Sequence, residues 1–295
     1  MSSKTAQVTQ RVCARVGMCM LGTAALMLPP ATAAGAEPGF HPMIIRGTSS
    51  AAAPDANQLR LAYQVSFENS SLEPSLDKLN AGAMVPGDPL IPGTNPTLSF
   101  APGEAVVSVH RPLDLSPDAF PAESLFATPV SFGPGSVVRL RATYRAPVGP
   151  LPGGGFAIGL VARTGGKDDL PTETLVGVTV NVRPGFLVRF GASNGNVDPA
   201  RVVLPDDVKN AIFSSTDPQP FTIELTIDRV HGTATGKLMV IDQVFTVPFV
   251  LSDFLADGGP TITAVGPGIA VNSNAPGQTA SVHIRDFRIY ANTGG

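Results

Sequence analysis

Between residues 136 and 145, Val138, Leu140, Ala142 and Tyr144 alternate with Arg139, Arg141, Thr143 and Arg145. A period of two puts the apolar set on one side of an extended strand and the polar set on the other. The same kind of segment recurs along the chain. Strands are expected at 59–67, 105–110, 156–163, 175–183, 186–190, 221–230, 233–241, 243–250, 261–271 and 280–290, each bounded by turn residues. Pro184 and Gly185 join two of them as a hairpin. In the first arm of that hairpin, Val176, Val178, Val180 and Val182 form an apolar row opposed by Thr179, Asn181 and Arg183. One short helix is expected at 204–213, where Pro205, Asp206 and Asp207 occupy its first turn. About eleven strands with almost no helix imply an all-β, two-sheet antiparallel sandwich. Gly and Pro, 31 and 29 residues, make up about a fifth of the chain. That frequency excludes a helical bundle and suits a protein of many turns.

The N-terminal end has a different organisation. Lys4, Arg11 and Arg15 precede an uncharged apolar run at 16–28, and Pro29, Pro30 and a small-residue stretch to Ala36 follow. This is the order of a secretory signal peptide, with cleavage expected after Ala33 or Ala36. The run of thirteen residues is shorter than the roughly 20 a membrane-spanning helix needs. Cys13 and Cys19, the chain's two cysteines, lie inside residues 1–36. The exported form would therefore hold neither disulfide nor thiol, which excludes cysteine catalysis and thiolate-bound zinc. Loss of three basic residues leaves 17 basic against 23 acidic groups, a net charge of about −6. Neither nucleic acid nor an anionic membrane is a natural partner for such a chain. A secreted or periplasmic location is expected, with no membrane insertion after cleavage. Residues 37–58 read as a flexible leader, 59–295 as one sandwich domain, and the proline-broken segment 69–96 as loop with one helical turn near 76–79. Asn69-Ser70-Ser71 is a glycosylation triplet in a eukaryotic source.

Three segments of the C-terminal third, FTIELTIDRV at 221–230, GKLMVID at 236–242 and VHIRDFRIY at 282–290, resemble the closing strands of the concanavalin A-like jelly-roll superfamily of lectins and glucanases. The resemblance extends over about 140 residues from position 136. It implies two curved sheets, with a glycan on the concave one, in a superfamily that includes lectin-like domains, glucanases and polysaccharide lyases. The enzymatic branches leave weaker traces here. Laminarinase-like hydrolases carry Glu-x-Asp-x-x-Glu on one strand, whereas Glu224 and Asp228 are four apart. That is roughly 13 Å along a strand, beyond either glycosidase carboxylate spacing. Lyases need a Tyr or His base, but Tyr144 is on the apolar side of its strand, and His110 and His283 sit in no matching motif. Catalytic residues are not assigned.

No nucleophile elbow, zincin motif or phosphate-cradling loop is present, and Gly153, Gly154 and Gly155 after Pro152 read as a loose turn. Asn194, Asn196 and Asp198 place three oxygen-bearing side chains at alternating positions, a spacing that could seed a calcium loop, but the closing acid is lacking and an Asx-rich turn is the favoured reading. Calcium is thus the one cofactor offered by the sequence, with Asp286 as a further oxygen ligand on the convex side. The ligand-binding candidates are the polar rows Arg139, Arg141, Thr179, Asn181, Arg189 and Glu224. Arginine is a planar, bidentate donor for carboxylate or sulfate, so the expected partner is an acidic polysaccharide or surface glycan. The competing explanation is that Arg and Glu pair across strands on a wetted face. Trp is absent and Tyr numbers only three, so an aromatic sugar platform would have to come from Phe. Glycan binding is the expected function. A divergent polysaccharide hydrolase or lyase, or a structural envelope protein assembling through strand edges, are the alternatives.

Overall fold

A computed structural model describes residues 59–74, 84–86, 97–114, 122–127, 131–151, 153, 155–164, 175–194, 200–252, 259, 261–271 and 276–292. The signal peptide expected at 1–36, the leader expected at 37–58 and the helical turn expected at 76–79 lie outside these residues. The described strands form a two-sheet antiparallel jelly-roll sandwich with one α-helix.

The eight-stranded sheet runs β13 (Gln243–Val250), β12 (Thr233–Val240), β11 (Phe221–Asp228), β6 (Val137–Arg145), β15 (Thr279–Asn292), β4 (Glu104–His110) and β3 (Thr97–Ala101). The first strand, β1 (Leu59–Ser66), pairs with the C-terminal half of β15, while β4 takes its N-terminal half. The seven-stranded sheet runs β10 (Arg201–Val203), β9 (Leu187–Asn194), β8 (Leu175–Arg183), β7 (Phe156–Thr164), β14 (Ile262–Val271), β5 (Ala122–Ala127) and β2 (Met84–Pro86). The helix α1 (Asp206–Ile212) follows Pro205, carries both acids in its first turn and buries Val208 and Ile212.

Alternation decides which residues enter the core. Val138, Leu140, Ala142 and Tyr144 of β6 pair with Ile227, Leu225, Ile223 and Phe221 of β11, and all eight are buried. From the other sheet, Val176, Val178, Val180 and Val182 meet them with Ala162, Leu160, Ile158 and Phe156 of β7 alongside. Two contacts set how closely the sheets approach. Tyr144 crosses the core and donates its hydroxyl to the Gly159 carbonyl at 2.7 Å, which satisfies a phenol that burial holds in its neutral form. Opposite Val178 stands Gly236, where an added Cβ would lie 2.3 Å from Val178 Cγ1.

The loop expected over 69–96 is interrupted, because Met84–Pro86 pairs with β5 as an edge strand. Its proline is tolerated at an edge, where an N–H can be spared. β3, β5 and β10 were likewise absent from the sequence expectation.

Candidate functional site

The six candidate ligand residues divide between the two outward faces of the sandwich. Arg139 and Arg141 on β6 and Glu224 on β11 face outward from the eight-stranded sheet. Thr179 and Asn181 on β8 and Arg189 on β9 face outward from the seven-stranded sheet. Period two correctly puts each set opposite the core. The two sets nevertheless lie on opposite sides of the molecule and do not make one site.

On the seven-stranded side, the register makes a pattern that crosses strands. Arg183 pairs with Leu187, two residues from Arg189, and Arg189 pairs with Val203, two residues from Arg201. Arg183, Arg189 and Arg201 are therefore successive diagonal neighbours on β8, β9 and β10, roughly 7–8 Å apart at each step. Arg163 of β7 stands toward the far end of the same face, where burial lowers the pKa of its guanidinium while leaving it a cation at neutral pH. The floor beside them is built of mostly small, buried residues: Ala157, Gly159, Val161 and Gly177, with Gly266, Gly268 and Ala270 of β14. Thr179 and Asn181, 7% and 8% exposed, are set into this floor, and Asn181 is the direct partner of Arg189. Strands β7 to β10 and β14 contain four arginines and no Asp, Glu or Lys. Arg189 Nε is buried and without a hydrogen-bond partner.

Acids and bases meet on the eight-stranded side. Glu104, only 5% exposed, receives Arg145 through Nε at 3.0 Å and Nη2 at 2.6 Å, and lies 2.7 Å from His283 Nδ1. Burial alone would raise the Glu104 pKa, but these hydrogen bonds outweigh it and hold the carboxyl below its ordinary range. The same bond to Glu104 raises the pKa of Arg145. Arg139 Nε lies 3.6 Å from Glu224 Oε1, and Arg288 Nε lies 3.7 Å from Asp286 Oδ1. Asp228 accepts the His231 N–H at 3.0 Å and contacts His231 Nδ1 at 2.8 Å across the β11–β12 turn. Glu224 and Asp228, four residues apart, are thus engaged with separate partners. His110 contacts the Thr279 hydroxyl at 3.0 Å.

Sequence reasoning missed Glu104, Arg145, His283 and Arg285 as a charged group because their contacts join distant strands. One local signal was present in Val-x-Ile-x-Asp-Phe-x-Ile. The apolar residues Val282, Ile284, Phe287 and Ile289 change parity between 284 and 287, where the register against β6 shifts. That bulge turns Asp286, Arg288 and Tyr290 outward.

For the proposed calcium loop, Asn194 is the last residue of β9, while Asn196 and Asp198 lie outside the described residues. Asp286 is beside Arg288, a cation already at hand. Among the described residues, no three His, Cys, Asp or Glu side chains converge as metal ligands. No described helix is long and apolar enough to cross a membrane.

No protein-family model matches the chain, and no curated protein matches it in sequence. Solved structures do resemble it. The CBM2 module of an evolved Dit from Lactobacillus casei BL23 phage J-1 superposes with a TM-score of 0.53 at 10% identity, over 81% of this chain and 98% of that one. A lectin from Bauhinia forficata in complex with GalNAc has a TM-score of 0.48 at 12% identity, over 79% and 99%. Lectin I-B4 from Griffonia simplicifolia has a TM-score of 0.46 at 14% identity, over 78% and 99%. At such identities the likeness to the phage module is one of fold.

Proposed function

We propose that this chain is an exported polysaccharide-binding protein that recognises an acidic polymer through the outward face of its seven-stranded sheet. The observation that carries this is the diagonal of Arg183, Arg189 and Arg201 across adjacent strands that hold no carboxylate. A guanidinium offers paired donors in the geometry of a carboxylate or sulfate, and three in line match a repeating anionic chain better than one compact ligand. The fold shared with a CBM2 module agrees with a glycan partner. Export rests on the basic, apolar and small-residue order of residues 1–36.

The test is titration of the protein purified without residues 1–36 with polygalacturonate, dextran sulfate and neutral dextran. The acidic polymers are expected to bind and dextran to fail, with affinity falling as salt rises. Combined Arg183→Gln, Arg189→Gln and Arg201→Gln should weaken binding at least tenfold, in protein whose circular dichroism spectrum matches the parent's. Equal binding of dextran, or a triple variant that binds like the parent, would overturn the assignment.

A further inference from the structure

The outward face of the eight-stranded sheet holds a constellation that the arginine diagonal does not use. After the bulge in β15, Arg288 becomes the register partner of Arg141, and Tyr290 that of Arg139. Like charges directly opposite one another on a sheet are unfavourable unless something of opposite sign intervenes. Arg141 has Glu224 as its partner on the other side, but that carboxylate is drawn to Arg139, 3.6 Å away. Arg141 itself makes no hydrogen bond or ion pair among the described residues. The Nε of Arg288 is buried without a hydrogen-bond partner, and Asp286 is 3.7 Å away. Two neighbouring guanidinium groups are thus incompletely compensated, on a sheet otherwise organised by ion pairs.

An aromatic ring stands next to them. Of the chain's three tyrosines, Tyr63 and Tyr144 are in the core. Tyr290 faces outward, two residues from Arg288, and its neighbour on β1 is the half-exposed Leu61. Two residues along a strand span roughly 6.6 Å, within reach of one sugar ring and its acidic substituent. An aromatic face with paired bidentate donors beside it binds the ring by stacking and the acid by charge.

We infer that Arg141, Arg288 and Tyr290 form a second site for an anionic sugar, on the opposite side of the sandwich from the arginine diagonal. One chain then bridges two strands of polymer, an inference that rests on the acidic-polysaccharide reading above. Bivalency of this kind converts a binder into a cross-linker without any change of oligomeric state.

The experiment uses dextran sulfate in two forms, short fragments for stoichiometry by calorimetry and long chains for cross-linking by light scattering. The parent protein should bind two short fragments per chain and scatter strongly with long chains. Arg141→Gln with Arg288→Gln should reduce the stoichiometry to one and abolish the scattering, while binding at the other face survives. Tyr290→Ala should weaken the second binding step about threefold to tenfold, and Tyr290→Phe should keep it. Surviving binding at the first face also establishes that each variant is folded. A stoichiometry of one in the parent, or scattering unchanged in Arg141→Gln with Arg288→Gln, would overturn the second site alone. If the parent binds no dextran sulfate and no polygalacturonate, the functional reading falls, and this inference with it.

Discussion

The two outward faces of this sandwich arise from the same alternation of apolar and polar residues and reach opposite electrostatic ends. On the eight-stranded side, Glu104, Glu224, Asp228 and Asp286 each have a basic partner close by. On the seven-stranded side, strands β7 to β10 and β14 present arginine over glycine and alanine without one acid. A wetted face needs charges for solubility, and mixed charges supply it while satisfying one another. Charges of one sign on neighbouring strands repel one another and suit a partner of the opposite sign. The net acidity of the chain sharpens the contrast, since a binder of acidic polymer must overcome its own long-range field with local cations.

The floor of the seven-stranded face should be its most sensitive part. A Cβ on Gly159 would lie 2.2 Å from the Val178 carbonyl oxygen and 2.6 Å from Thr179 Cγ2, and a backbone atom yields little. Gly159→Ala is therefore expected to cost about 3 kcal/mol or more in urea unfolding, at the upper end of overpacking effects. Gly153 has open space around it, and Gly153→Ala should stay within about 0.5 kcal/mol. Equal effects at the two glycines would mean that the floor is not close-packed.

On the other face the largest effect belongs to Glu104. Glu104→Gln leaves Arg145 and His283 without the carboxylate they share, and about 2–3 kcal/mol of stability should be lost at neutral pH. The pH dependence follows from the depressed folded-state pKa. The stabilisation is fully present above the unfolded carboxyl value of about 4.3 and is lost as pH falls through the lower folded value. Urea midpoints measured below pH 4.3 should thus bring parent and variant together. A gap between them that persists at low pH would show that the charge of Glu104 is not what stabilises the sheet.

A direct way to break the comparison is to give the seven-stranded face an acid. Asn181→Asp keeps the side-chain shape and places a carboxylate opposite Arg189. Asn181 is nearly buried, so Arg189 offsets the desolvation of the carboxylate only in part, and about 1–2 kcal/mol of stability should be lost. Affinity for polygalacturonate should fall about tenfold, because the new anion competes for the guanidinium. Unchanged affinity would remove Arg189 from the site.

What was legible in the sequence follows from the range of each interaction. Alternation is local, so β6 and β8 and the side each residue faces could be read from ten residues at a time. β2 and β10, with three residues each, are too short to show a period. Which sheet a strand joins depends on long-range pairing, and that is why Arg139, Arg141 and Glu224 were grouped with Thr179, Asn181 and Arg189 across a core that separates them. Glu104 and His283 are 179 positions apart and meet only because β4 pairs with β15. The bulge in β15 could be read from its change of parity, whereas the meeting of Tyr290 with Arg139 and of Arg288 with Arg141 required the pairing of β15 with β6.

The smallest expected effect concerns Arg139 and tests how the mixed-charge face shares its ions. Glu224 is nearly buried, and loss of the sole partner of such a carboxylate would be costly. Here, however, Arg141 and Lys237 are its direct register partners on either side, and both can turn toward it. Arg139→Gln should accordingly cost less than about 1 kcal/mol in urea unfolding, within the range of exposed ion pairs. The compensation has a consequence elsewhere on the face. With Arg139 neutral, Glu224 is free to engage Arg141, and the pair formed by Arg141 and Arg288 loses one of its two cations to an internal partner. Calorimetry with short dextran sulfate fragments should then show the second binding step weakened several-fold and the first unchanged. A second step that stays at parental strength, with stability equally unaffected, would mean that Glu224 does not choose between its neighbouring arginines.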